Sequence, residues 1–261
     1  MQLNGKVAIV TGAGGGGCGR AISHRLAQHG ASVIVSDVDE AGGRETVRHI
    51  EADGGRAAFF AADVAHDAEV RALVESAERR FGGLDVMVNN AGPYFPGPLE
   101  QWIKTVQANL LGTMHGTLHA LEAMERRGGG AIVNMGSTSA LGHGLNHSPS
   151  AAYEAAKAGV MRLTTALGWL AEQRRIRVNC LVPHWVATEE VAAFVAGLTP
   201  EQRTQYKVPD VLVRTEEVAQ AVVRLATDEA LAGRILVYWG GRPPSLITQG
   251  DPGYSRLETE S

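Results

Sequence analysis

TGAGGGGCGRAI, residues 11–22, follows the apolar run KVAIV at 6–10, and its reading decides the fold. Six of the ten residues from Thr11 to Arg20 are glycine, too many for ordinary packing. They suit a backbone that something must approach closely. GxGxxG fits from Gly12 (Gly12, Gly14, Gly17) and equally from Gly14 (Gly14, Gly16, Gly19), so the pattern alone leaves the frame open. A strand, then glycines, then a helix brings unpaired N–H groups and the positive end of a helix dipole to one point, which attracts phosphate. Asp37 ends the next apolar run, 18 residues after Gly19, and is placed to accept hydrogen bonds from an adenosine ribose. Its carboxylate would repel a 2′-phosphate and Val38 offers no offsetting charge, so NAD is expected over NADP. Arg20, in the first turn of the helix, reads as an arginine in solvent.

Working outward, apolar runs of strand length recur at Val7–Val10, Val33–Ser36, Ala57–Ala61, Val86–Val88, Ala131–Asn134, Arg177–Val182 and Ile235–Tyr238. Helical spacing occupies Gly19–His29, Asp67–Phe81, Leu99–Arg127, Ala151–Glu172 and Thr215–Ala226 between them. Strands apolar on both faces and alternating with helices predict an α/β fold, a Rossmann-like doubly wound parallel sheet of about seven strands with helices on both sides. Residues 1–241 read as one dinucleotide-binding and catalytic domain. The tail from 242 to 261 is rich in Pro, Gly and polar residues and shows no helical or strand period.

The bulk properties narrow the partners. A hydrophobic fraction of 44% with 20% charged residues is that of an ordinary globular domain, and a net charge of −4 gives no reason to expect nucleic acid. No run approaches the length of a membrane span, and no secretory signal fits ahead of the first strand. Two cysteines, Cys18 and Cys180, make no disulfide framework, so buried reduced thiols and a cytoplasmic location are expected.

Several further motifs occur in the order of one family: Asp63–Val64, NNAG at 89–92, Asn109, Ser137, Tyr153-x-x-x-Lys157, IRVN at 176–179, Pro183 and Thr188. With the glycine turn they make the chain resemble the short-chain dehydrogenase/reductases from Lys6 to about Gly241. Tyr153 and Lys157 stand four apart, so a helix presents both on one face. A nearby ammonium stabilises a phenolate, which lets Tyr153 exchange a proton with an alcohol or a ketone oxygen near neutral pH. Ser137, or Ser139 beside it, would donate a hydrogen bond to the reacting oxygen. The resemblance implies that Lys157 also binds the nicotinamide ribose and that Asn109 holds a water against Lys157. It further implies cofactor contacts from Gly12, Gly17, Cys18, Gly19, Asp37, Asp63, Val64, Asn89, Asn90, Ala91, Gly92, Pro183, Val186 and Thr188. The function implied is oxidoreduction of a small-molecule secondary alcohol or ketone with NAD. A homo-oligomer, tetramer or dimer, paired through the helices at 99–127 and 151–172 is implied with it. An NADPH-dependent ketoreductase of acyl-carrier or polyketide type, and a scaffold that binds cofactor without turnover, are the alternatives.

Three departures from the family stand out. The glycine turn is one residue long; anchoring it on RAI at 20–22 makes Gly12, Gly17 and Gly19 the working set. Ser137 and Tyr153 are 16 apart where 13 is usual, with the addition in LGHGLNHSPS. The usual Pro-Gly is Pro183-His184. His143, His147 and His184 read as pocket or loop histidines, with no metal expected. Tyr94, Phe95, Trp102 and Trp185 are candidates for apolar walls.

Overall fold

The computed structural model describes residues 1–93, 99–141 and 151–250; Tyr94, Phe95, His143, His147 and the end of the tail lie outside them. Seven parallel strands are β1 Val7–Thr11, β2 Ser32–Asp37, β3 Arg56–Ala61, β4 Val86–Asn89, β5 Gly130–Met135, β6 Ile176–Pro183 and β7 Ile235–Tyr238. An eighth, β8 Ser245–Leu246, pairs antiparallel with β7. The sheet order is β3-β2-β1-β4-β5-β6-β7-β8. The expected doubly wound sheet is present, with one strand more than the sequence suggests. That strand comes from the tail read as irregular: two residues are too few for a period, and it forms because β7 presents an open edge.

The strands alternate their side chains between two buried faces. Ala8, Val10, Val86, Val88, Ala131 and Val133 pack on one side against Ile22 and Leu26 of α1 (Cys18–Gln28), Ile50 of α2 (Glu40–Ala52) and Val218, Val222 and Leu225 of α10 (Thr215–Thr227). Val7, Ile9, Met87 and Ile132 pack on the other against Leu73 and Ala77 of α3 (Asp67–Phe81) and Ala120 and Met124 of α5 (Gly112–Arg127). Burying apolar residues on both faces is what makes the strands read as continuous hydrophobic runs.

The two long helices expected from the sequence are each divided. Residues 99–127 form α4 (Leu99–Val106), a π-helical turn Gln107–Leu111 and α5, and Asn109 sits in the turn. A π turn widens the backbone locally and is common at functional sites. Residues 151–174 form α6 (Ala151–Ala166) and α7 (Leu170–Arg174). Between β6 and α10 lie α8 (Glu189–Ala196), capped by the Thr188 hydroxyl, and α9 (Pro200–Gln205), which opens with a Thr199–Gln202 capping box.

Candidate active site

Parallel strands deliver their C-terminal ends to one edge of the sheet, and most of the motif residues gather there. The glycine turn after β1 is built tightly. Gly12 has φ +65°, and a methyl group on it would lie 2.7 Å from Ala91 Cα. One on Gly19 would collide with the Gly12 carbonyl, so no other residue lets α1 sit this close to β1. Cys18 opens α1 with its thiol pushed up to about 11 by burial, so it is protonated near neutrality.

Asp37 closes this turn from β2. One carboxylate oxygen accepts the Gly14 N–H at 2.7 Å and the other the Asp39 N–H at 3.0 Å. Arg20 is not in solvent as its helix-start position suggested. It donates to the Gly14 carbonyl at 3.0 Å, to Glu45 at 2.9 Å and to Thr46 Oγ1 at 3.1 Å. A carbonyl on the turn and a carboxylate on α2 offer this guanidinium better partners than water, and only the fold brings them to it.

Asn90 ties β4 to the turn. Its side-chain amide donates to the carbonyls of Thr11 and Gly12, both at 2.9 Å, while the N–H groups of Asn90 and Ala91 share Thr11 Oγ1 at 3.1 Å. Asn89 points the other way, into a buried polar chain. Its amide donates to Asn134 Oδ1 at 2.8 Å and Thr117 Oγ1 at 3.3 Å, and Asn134 donates onward to Thr164 at 3.0 Å. This chain braces β4 and β5 against α5 and α6. For Asn134 the only advance signal was a polar residue ending an apolar run, and for Thr117 and Thr164, inside helices α5 and α6, there was none.

After β3, Asp63 accepts the Ala65 N–H at 2.9 Å, and His115 of α5 holds the Val64 carbonyl at 2.9 Å. Beyond β6, the His184 N–H donates to the Tyr238 carbonyl at 2.9 Å and its ring lies 4.7 Å from that of Trp239. Burial lowers the pKa of His184 and so favours the neutral ring. Pro183 ends β6, Val186 bridges to Val213, and Thr188 caps α8 by accepting the Val191 N–H at 3.2 Å. Trp185 stacks on Phe194 with ring centroids 6.3 Å apart, whereas Trp102 is exposed on α4.

The catalytic candidates come from three elements. Lys157 of α6 is buried, donates to the Met135 carbonyl at 2.9 Å and lies 5.5 Å from the Tyr153 ring centroid. Burial pushes its ammonium down to about 8, against a smaller opposing effect of the Cys180 thiol. Asn109 donates its amide N–H to the carbonyls of Pro93 and Thr105 at 3.0 and 3.1 Å. Its Oδ1 is buried and accepts no hydrogen bond from the described residues. A methyl group on Gly92 would lie 2.6 Å from Asn109 Oδ1 and 2.7 Å from Lys157 Nζ, so amide oxygen, ammonium and the Gly92 backbone converge on one small space. Ser137 follows β5, its Oγ accepting from Ser139 Oγ at 2.9 Å. A cavity of about 530 Å³ behind the glycine turn, between α1, α2 and α10, contains none of these four residues.

Comparison with known proteins assigns the chain to a family. Residues 6–198 match the family model described as short chain dehydrogenase, and the chain belongs to that family of oxidoreductases, which act on CH–OH groups with nicotinamide cofactors. It is 37% identical to a cis-4-hydroxycyclohexanecarboxylate dehydrogenase of Sinomonas cyclohexanicum over 90% of this chain and 96% of the relative. It is 34% identical to a cyclohexanol dehydrogenase of an Acinetobacter species over 88% of this chain and 90% of the relative. The crystallised 7α-hydroxysteroid dehydrogenase in complex with NADH and 7-oxo glycochenodeoxycholic acid superposes with a TM-score of 0.81 at 28% identity, covering 92% of this chain and 95% of that one. No helix among the described residues is long and apolar enough to cross a membrane.

Proposed function

We propose that this oxidoreductase interconverts a secondary alcohol and a ketone on a small alicyclic substrate, with NAD preferred to NADP and Tyr153 as the general acid and base. The carrying observation is the convergence of Lys157 Nζ and Asn109 Oδ1 beside Gly92, with Tyr153 on the same face of α6. A bound nicotinamide dinucleotide would supply the hydride acceptor or donor. The donor set fits such a group: Gly12, Gly17, Cys18 and Gly19 would border the pyrophosphate, and Asp37 the adenosine ribose. Asp63, Val64, Asn90, Ala91 and Gly92 would border the adenosine half, with Asn89 bracing from behind. Pro183, Val186 and Thr188 would meet the nicotinamide end, and Lys157 its ribose.

Within that frame the side chains divide the work. Lys157 lowers the cost of a phenolate at Tyr153 Oη, so that this oxygen takes the proton of an alcohol or returns one to a ketone oxygen. Ser137 accepts from Ser139 and so retains its own O–H proton for the substrate oxygen. Asn109 Oδ1, facing the Lys157 ammonium, is placed to pass protons on through water. The preference for NAD rests on the Asp37 carboxylate at the end of β2. The alicyclic substrate class rests on the printed activities of the two cyclohexane-acting relatives. A homo-oligomer, dimer or tetramer, is supported by the exposed apolar stripe Ile103, Leu111, Met114 and Leu118 along α4 and α5, with Trp169 after α6. Unpaired Cys18 and Cys180 support a cytoplasmic location.

The test is Tyr153→Phe, assayed on a panel of cyclohexanols and cyclohexanones with binding titrated for NADH and NADPH. Turnover is expected to fall by roughly 10²–10⁴-fold with NADH binding intact and tighter than NADPH binding. Full turnover in the variant would refute Tyr153 as acid and base, and tighter NADPH binding would refute the argument from Asp37.

A further inference from the structure

β6 and β7 carry two neighbouring rows of side chains out of the core. Cys180 and Val182 of β6 and Ile235 and Val237 of β7 pack with Val160 and Met161 of α6. Side chains alternate along a strand, so His184 and Trp239, each two residues further on, continue these rows on the same face. The two strands stay paired that far: the His184 N–H donates to the Tyr238 carbonyl at 2.9 Å, and the rings of His184 and Trp239 meet at 4.7 Å. α6 runs against these strands. Gly168, beyond its end, lies by Gly233, whose N–H donates to the Val178 carbonyl early in β6, while Lys157 reaches the Met135 carbonyl at the end of β5. Stepping back from Val160 to Tyr153 therefore moves about 10 Å toward the strand ends, and stepping on from Cys180 to His184 moves about 13 Å. His184 and Tyr153 thus leave the core on one face of the sheet and at a similar height.

Resting on the reading of Tyr153 as acid and base for an alicyclic alcohol, we propose that His184, backed by Trp239, selects the substrate by holding a second, uncharged hydroxyl or oxo group on the ring whose carbinol meets Tyr153. His184 stands in place of the usual glycine, so this side chain is an addition at the strand end. Its ring is half-buried, and neither ring nitrogen hydrogen-bonds to another described residue. A polar group drawn partly out of water without a partner gains from a ligand that supplies one. Burial favours the neutral imidazole, which carries one donor and one acceptor and so matches a hydroxyl. A carboxylate would instead ask the ring to take up a proton against its burial. Trp239 is held from behind, because a methyl group on the following Gly240 would strike the Val211 carbonyl. Its indole gives the substrate ring a flat apolar wall beside the imidazole. A site that hydrogen-bonds a substrate group discriminates against the analogue lacking it, because the site's own group is then left unpaired.

The full-length protein and its His184→Leu and His184→Gln variants would be assayed with NAD on cyclohexanol, the isomeric cyclohexanediols and hydroxycyclohexanecarboxylate. For wild type, kcat/KM of the best diol is expected to exceed that of cyclohexanol by about tenfold, the size of one neutral hydrogen bond to substrate. In His184→Leu this ratio is expected to fall to about one, because the apolar side chain offers no partner. In His184→Gln, which keeps a donor and an acceptor, it is expected to stay at about threefold or more. The ratio is taken within each variant, so a smaller folded fraction does not move it. The proposal is overturned if wild type oxidises cyclohexanol and every diol equally well, or if the ratio survives unchanged in His184→Leu. It is equally overturned if hydroxycyclohexanecarboxylate loses more than any diol in His184→Leu, since His184 would then serve an anion. Absence of turnover of every alcohol by wild type that binds NADH would overturn the reading of the catalytic site and the proposal with it. That outcome is distinct from turnover without preference, which overturns the proposal alone.

Discussion

Asp85 and Lys157 are each 3% exposed, and they lie at opposite ends of the same parallel sheet. Asp85, just before β4, accepts from the Val7 N–H at 2.9 Å, Arg127 at 3.0 Å and Lys6 at 3.1 Å. Burial alone would raise its pKa, yet the Val7 N–H, Arg127 and Lys6 outweigh it and hold the carboxyl below its ordinary value. Lys157, beyond the end of β5, has the Met135 carbonyl and no carboxylate partner among the described residues, and burial brings it down to about 8. One end of the sheet surrounds its charge so that it stays charged. The other leaves its charge ready to be lost, at an energetic cost that a purely structural position would not carry. The edge with the satisfied charge holds the fold, and the edge with the strained one is where the chemistry is proposed.

The contrast breaks most sharply at Lys157. In Lys157→Met, turnover should fall by roughly 10²–10⁴-fold while the melting temperature at neutral pH does not drop, since a buried charge is replaced by an apolar side chain of similar length. A large loss of stability in this variant would make Lys157 a structural residue. Next in size, Asp85→Ala should cost about 3 kcal/mol in urea unfolding, because it orphans the Val7 N–H and two cations. NADH affinity of the folded protein should be unchanged, and a loss of affinity would mean that the two ends are coupled.

The remaining effect is one of pH. Lys157 has a folded value near 8, below its ordinary 10.5, so between these limits the unfolded chain binds more protons. Wild-type stability should therefore rise relative to Lys157→Met as pH climbs from 8 to 10.5, by at most about 1.4 kcal/mol per pH unit. A difference that stays flat over that window would show that Lys157 is not depressed. Asp85 runs the other way along the scale. Its contribution is present above the unfolded value of 3.8 and is lost as pH falls through the lower folded value.

Legibility of the sequence varied with how local each signal was. The seven parallel strands were readable because their apolar runs are uninterrupted, and all but the partly exposed edge strand β3 are largely buried. The helix α2 was not, because EAGGRETVRHIEA carries a glycine pair that looks like a turn. In the fold those glycines are close-packing positions: a side chain on Gly42 would strike the Gly14 carbonyl, and one on Gly43 the ring of Phe59. The divided helix at 99–127 was unreadable for a different reason. A π turn inserts no characteristic residue, and the apolar spacing continues through it. At the site, the YxxxK spacing was enough to pair Tyr153 with Lys157 on one helical face. The family resemblance linked Asn109 to Lys157, whereas nothing local to Gly92 announced that both would converge on it.

The sequence by itself determined the doubly wound class, the glycine turn and its acidic partner at Asp37, and the family to which they belong. These follow from periodicities and from the order of short motifs along the chain. Only the tertiary structure decided that Arg20 clamps the Gly14 carbonyl, that Asn89 faces inward while Asn90 holds the turn, and that Glu189 lies against Gly16. Each of these joins elements far apart in the chain, and a side chain's partner across such a distance is chosen by packing and by the need to satisfy buried polar groups.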